Sequence, residues 1–123
     1  CYNASPESVR AATELLKEAK GRRIAVLGSM KELGSFSEAS HAEVAREVLS
    51  SGVDRLFLFG PEFQRAADEL SQESMVVYAD TFQELTGRVM EYVAPGDTVL
   101  LKGSRAVELE RLTPVIRGEV IGA

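Results

Sequence analysis

Short apolar runs alternate with amphipathic stretches along nearly the whole chain, and that alternation decides the class of fold open to it. The runs are RRIAVLG (22–28), DRLFLFG (54–60), SMVVYAD (74–80) and DTVLLKG (97–103). Continuous apolar runs of this length, bounded by glycine or turn formers, suit strands buried on both faces. Between them the apolar positions change to helical spacing. Ser5 is placed to cap a helix with Pro6 at its first position, and Val9, Ala12, Leu15, Leu16 and Ala19 predict that helix over about 6–19, ended by Gly21. A second helix begins at Ser37, carries His41, Val44, Ala45, Val48 and Leu49, and stops at Gly52. Pro61 opens a third, with Phe63, Ala66, Ala67 and Leu70 on one face. Asp80 and Gln83 form a capping-box-like pair for a fourth, with Phe82, Leu85, Val89 and Val93 inward. Pro95-Gly96 then turns the chain into the last apolar run, and Arg105 to about Leu112 reads as a further helix. Thr113-Pro114 ends it, leaving GEVIGA (118–123) as an edge strand or the start of something further.

Strands joined by helices require right-handed crossovers and a parallel sheet covered on both faces. The expected fold is therefore α/β: a three-layer α/β/α, Rossmann-like single domain over 1–123. At 123 residues the chain is long enough for one core without staples. Its net charge of -5 argues against nucleic acid or an anionic membrane surface as partner. The single cysteine, Cys1, can make no intrachain disulfide, and no apolar run has the length of a membrane span, so the cytoplasm is the expected compartment. The chain opens on CYNASPESV without an initiator methionine, and is expected to be an excised domain of something longer.

In open α/β sheets ligands bind beyond the carboxyl ends of the strands, which selects GSMKELG (28–34), Gly60-Pro61-Glu62, Asp80-Thr81 and Lys102-Gly103-Ser104-Arg105 as one expected rim. The last is the sharpest. A lysine, a glycine, a hydroxyl and an arginine at a strand end that opens a helix can cradle a carboxylate or phosphate. The same residues also fit a plainer reading, with Ser104 as a cap and both cations solvated. No phosphate-binding P-loop and no G-x-G-x-x-G occurs. His41, the only histidine, falls on an apolar stripe and reads first as a hydrogen-bonded core-edge residue. No cluster with metal-ligand spacing is present. Asp54, Asp80 and Asp97 stand at strand boundaries as caps or turn formers. These features describe an α/β domain with an anion-friendly rim and an incomplete catalytic set.

YNASP (2–6), AVLGSMKELG (25–34) followed by His41, and KGSR (102–105) stand in an order and spacing that resembles the C-terminal domain of the Mur ligases. The likeness is greatest to the branch that adds D-alanyl-D-alanine to UDP-N-acetylmuramoyl-tripeptide, and it runs from residue 1 to about 112. The resemblance implies a cytoplasmic, monomeric peptidoglycan-precursor ligase whose N-terminal and central ATPase domains are absent from this sequence. It implies ATP and Mg²⁺ as cofactors, bound mainly by the central domain. The C-terminal domain would close over the nucleotide in intramolecular contact with that domain, and the fragment alone would be inactive. Carried over position by position, Tyr2, Asn3 and Pro6 match the segment beside the adenosine of ATP. Lys102, Gly103, Ser104 and Arg105 match the segment facing the incoming dipeptide. No catalytic residue and no metal ligand is implied within this stretch. Two positions depart from the family pattern, which usually has Asn at Ser5 and Asp at Ser29. A sibling ligase adding a single amino acid is the neighbouring alternative, and a non-catalytic α/β binding module the remote one. A receiver-like domain, which needs an acidic cluster at the end of the first strand and a phosphoacceptor Asp at the end of the third, fits poorly, because the strand ends here are Ser29, Pro61 and Asp80.

Overall fold

The computed structural model describes residues 5–30, 37–103 and 119–121. In chain order the elements are α1 (Pro6–Lys17), β1 (Arg23–Gly28), α2 (Ser37–Ser50), β2 (Arg55–Phe59), a 3₁₀ turn (Pro61–Phe63) running into α3 (Gln64–Glu69), β3 (Val76–Ala79), α4 (Phe82–Tyr92), β4 (Thr98–Lys102) and β5 (Glu119–Ile121). The sheet order is β3-β2-β1-β4-β5, with every neighbouring pair parallel. The GEVIGA segment thus contributes an edge strand. The helix read over Arg105 to Leu112 lies outside the described residues.

The central strands β1, β2 and β4 are buried on both faces, successive residues pointing to opposite sides. Ala25 and Leu27 of β1, Leu56 and Leu58 of β2, and Leu100 of β4 pack with Val9, Leu16, Val44, Val48 and Phe63 from α1, α2 and the 3₁₀ turn. Ile24, Val26, Phe57, Val99 and Leu101 point the other way, onto Leu85 and Val89 of α4. β1 is the axis of this arrangement, with Ala25 in register between Leu56 and Leu100.

Local chemistry sets the helix starts. The Ser5 hydroxyl accepts from the Ser8 amide at 3.1 Å and the Ser8 hydroxyl accepts from the Ser5 amide at 2.9 Å, a reciprocal box in front of Pro6. Two expectations are corrected here. Leu15 faces solvent at 62% exposure, and Thr13 takes the inward position instead, its hydroxyl satisfied by the Val9 carbonyl at 2.7 Å. The face defined by Val9, Ala12 and Leu16 passes through position 13, whereas 15 lies about 100° off it. The cap of α4 is Thr81 rather than Asp80. The Thr81 hydroxyl accepts from the Glu84 amide at 3.1 Å, and the Glu84 carboxylate takes the Asp80 amide at 2.9 Å, so the box is one residue later than its sequence signature.

At the amino-terminal end of the strands, Arg22 and Asp97 close the Pro95-Gly96 turn. The Arg22 guanidinium donates to both Asp97 oxygens, at 3.0 and 2.7 Å, and to the Tyr92 carbonyl at 2.6 Å, while Asp97 also accepts from the Ala94 amide at 2.8 Å. Arg22 and Arg55 both lie over the Tyr92 ring, at 4.1 and 4.3 Å from its centroid. Arg22's hydrogen bonds hold the Asp97 carboxyl below its ordinary value of 3.8, with the Ala94 amide adding to the effect. A folded-state value below the unfolded one stabilises the fold above about pH 4 and is lost as pH falls through the depressed value. Asp97→Asn is therefore expected to lower Tm by several degrees at pH 7. The gap to the parent should shrink in thermal melts as the pH falls below about 4, and a gap independent of pH would contradict this account.

Candidate functional site

Strand pairing brings the described parts of the sequence-selected segments to one edge, Lys31–Gly34 lying outside the described residues. Gly28 is in register with Phe59, Phe59 with Ala79, and Leu27 with Lys102, so the residues that follow β3, β2, β1 and β4 emerge side by side. α1 enters β1 through the turn at Gly21 and so runs back toward this edge. Its twelve residues place Pro6 at the same end of the domain as Lys102 and Gly103. Pro6 is the first residue of α1, behind the Ser5 cap. Tyr2, Asn3, Ser104 and Arg105 lie outside the described residues.

Gly103 is buried against the backbone of Gly28. A Cβ built on it would stand 2.8 Å from the Gly28 Cα and 3.0 Å from its nitrogen. The tips of β1 and β4 therefore touch through two glycines, and the KGSR segment starts from a point held against the exit of β1. Lys102, one residue earlier, is half-buried in the sheet edge.

Residues 1–105 match the profile of the Mur ligase glutamate ligase domain. The chain belongs to this family. It is 39% identical over 123 residues to the UDP-N-acetylmuramoyl-tripeptide–D-alanyl-D-alanine ligase of Treponema pallidum, an alignment covering 97% of this chain and 27% of that protein. Among solved structures, it is similar to a MurF ligase of Thermotoga maritima crystallised in complex with ADP, at TM-score 0.74 and 33% identity over 94% of this chain and 26% of that one. A MurF of Acinetobacter baumannii gives TM-score 0.81 at 27% identity, with 94% and 26% covered. The chain thus spans about a quarter of the length of the curated relatives it matches.

Within this Mur ligase domain, the edge on the β2 and β3 side is built around Gly60, at φ +112°. The Ser29 amide donates to the Phe59 carbonyl at 3.0 Å, and the Tyr78 hydroxyl donates to the Gly60 carbonyl at 3.1 Å. Burial raises the Tyr78 phenol above its ordinary value, reinforced by the nearby Asp80 carboxylate, so it stays a neutral donor across the physiological range. A Cβ at Gly60 would meet the Ser29 hydroxyl at 2.0 Å, which gives Ser29 a packing role that the sequence did not reveal. Asp97 is a turn former as read, accepting from the Ala94 amide, whereas the Asp54 carboxylate ties β2 to β1 by accepting from the Arg23 amide at 2.8 Å.

His41 is fully buried, with both ring nitrogens bonded. Its reading as a hydrogen-bonded core residue holds, but its partners could not be named from the sequence, because one lies eleven residues upstream at the end of β1.

Among the described residues no group of three or more His, Cys, Asp or Glu side chains converges to hold a metal ion. No described helix is long and apolar enough to cross a membrane. A groove of about 390 Å³ between α1 and α2, with Arg10, Lys17 and Glu47 in its wall, lies toward the C-terminal ends of those helices. That is the opposite end of the sheet from the strand tips.

Proposed function

We propose that this chain is the C-terminal domain of a cytoplasmic, ATP-dependent ligase that joins D-alanyl-D-alanine to UDP-N-acetylmuramoyl-tripeptide. In this reading the acceptor carboxylate attacks the γ-phosphorus of ATP, releasing ADP and forming an acyl phosphate. The dipeptide amine then attacks the acyl carbon, and inorganic phosphate leaves. Mg²⁺ and the phosphate-binding machinery belong to the preceding domains of such an enzyme. The domain described here closes over the site, holds the dipeptide and excludes water from the acyl phosphate.

One observation carries the reading. The segment Lys102 to Arg105 begins at the tip of a central strand, on the edge where Pro6 also stands, in a chain similar along nearly its whole length to ligases named for this reaction. A zwitterionic dipeptide needs its carboxylate neutralised and its amine left free. The Lys102 ammonium and the Arg105 guanidinium supply the first requirement, and Gly103 and Ser104 add backbone and hydroxyl donors. Tyr2, Asn3 and Pro6 form the adenosine side. The Ser5 hydroxyl already serves the Ser8 amide, so the contact of an asparagine at this position with the nucleotide is lost or shortened.

The test is ADP release by the full-length enzyme given UDP-muramoyl-tripeptide and ATP, with D-alanyl-D-alanine compared against single amino acids. Release is expected only with the dipeptide. Release with one amino acid instead would move the chain to a sibling ligase. Arg105→Ala is expected to raise the dipeptide KM by about tenfold or more, while the ATP KM stays within about twofold. An unchanged dipeptide KM would remove Arg105 from the cradle.

A further inference from the structure

His41 is 0% exposed, and its two nitrogens are engaged at two separate places on the backbone. Nε2 accepts from the Met30 amide at 2.8 Å, just beyond the tip of β1. Since Nε2 is an acceptor, the proton of the neutral ring is on Nδ1, which faces the Ser37 carbonyl at 2.5 Å in the first turn of α2. The edge of Phe63 holds the ring plane, with centroids 4.7 Å apart at 85°. Met30 and Ser37 are the residues that flank 31–36, so one side chain is bonded to both flanks of the segment that follows β1. Met30 is itself buried at 2% exposure, which leaves its amide no water to replace the imidazole.

We propose that His41 is a positioning residue for the amino substrate. As the Nδ1-protonated tautomer it clamps the exit of β1 to the start of α2. Through the Gly28–Gly103 backbone contact, it also fixes where Lys102 and Gly103, the start of the proposed cradle, stand. The chain of contacts is short. Met30 is two residues from Gly28, and Gly28 bears directly on Gly103. Releasing Met30 lets the tip of β1 shift, and Lys102 and Gly103 shift with it, whereas Pro6 stands on α1, outside this chain of contacts. This inference depends on the proposed role of Lys102–Arg105 and adds to it the residue that sets their position.

Two substitutions separate the clamp from ordinary packing. His41→Gln puts an amide oxygen where Nε2 stands and keeps an acceptor for Met30. His41→Asn keeps a donor where Nδ1 stands, toward Ser37, and abandons Met30. In the full-length ligase, Asn is expected to raise the amino-substrate KM about tenfold with the ATP KM unchanged, and Gln to restore it to within about threefold of the parent. If both variants lose kcat equally with the substrate KM unmoved, the role is structural only and the proposal is wrong.

The clamp is also read without catalysis. In ¹⁵N spectra of the 123-residue chain, His41 should show a protonated Nδ1 and a hydrogen-bonded, unprotonated Nε2, with a slowly exchanging Met30 amide. An Nε2-protonated ring or a freely exchanging Met30 amide overturns the proposal. If ADP release runs with a single amino acid and not with the dipeptide, the ligase reading is corrected. The same Gln-against-Asn comparison on that amino acid's KM then decides the clamp.

Discussion

Gly103→Ala is expected to weaken both the fold and the hold on the amino substrate. The new methyl would stand 2.8 Å from the Gly28 Cα, 3.0 Å from its nitrogen and 3.1 Å from its carbonyl carbon. All three are backbone atoms of a central strand, paired on one side to β2. They cannot rotate away as a side chain would, so the strand tips must separate. Gly103 is not among the glycines with positive φ, so the penalty is one of space alone, about 1–3 kcal/mol. Denaturant titration should show that loss, and steady-state kinetics of the full-length enzyme should show an amino-substrate KM raised by about tenfold or more, because the cradle segment starts from the displaced residue. A variant as stable as the parent would mean that the two strand tips are not in contact. A destabilised variant with an unchanged KM would separate the cradle from Gly103.

The same experiment at the other end of β1 should give a larger loss of stability and no change in substrate binding. Gly21 leads into β1 at φ +77°, and a Cβ there would lie 2.3 Å from the Gly96 carbonyl oxygen. Gly21→Ala therefore combines a left-handed backbone with a clash against a fixed carbonyl, and is expected to cost about 2–4 kcal/mol. For a domain of this size that lowers Tm by about 10 °C or more. The affected turn is the one closed by Arg22 and Asp97, remote from the strand tips. Below the melting range, KM for each substrate should match the parent. A raised amino-substrate KM in Gly21→Ala would show that any strain along β1 reaches the cradle, and the Gly103 and His41 effects would lose their specificity.

These two glycines also show where reading the chain stops. The alternation of apolar runs with helical spacing was enough to specify an α/β/α domain with a parallel sheet. Period and burial are local properties, written in residues such as Ile24 to Leu27 and Val99 to Leu101. The direction of the strands followed from the helices between them, and with it the edge on which Gly28, Gly60, Asp80 and Lys102 stand. Family membership was carried by short motifs in order, which survive because backbone turns and strand ends restrict residue type.

Two local choices and the pairings between distant segments were not readable. Thr13 replaces Leu15 on the inward face because a hydroxyl can bury itself on its own helix at Val9. Thr81 takes the cap from Asp80 because Glu84, rather than Gln83, reaches back. Gly103 resembles a flexible loop residue in the sequence, yet it is held by Gly28, 75 positions earlier in the numbering. His41 shows an apolar stripe in the sequence and a two-ended clamp in space. For Gly103 and His41 the deciding contact joins groups whose separation is set only once the sheet has assembled. The order of apolar runs and helical stripes in this chain thus determined the layers, and the tertiary structure alone decided which backbone atoms touch at the strand tips and which side chain holds them there.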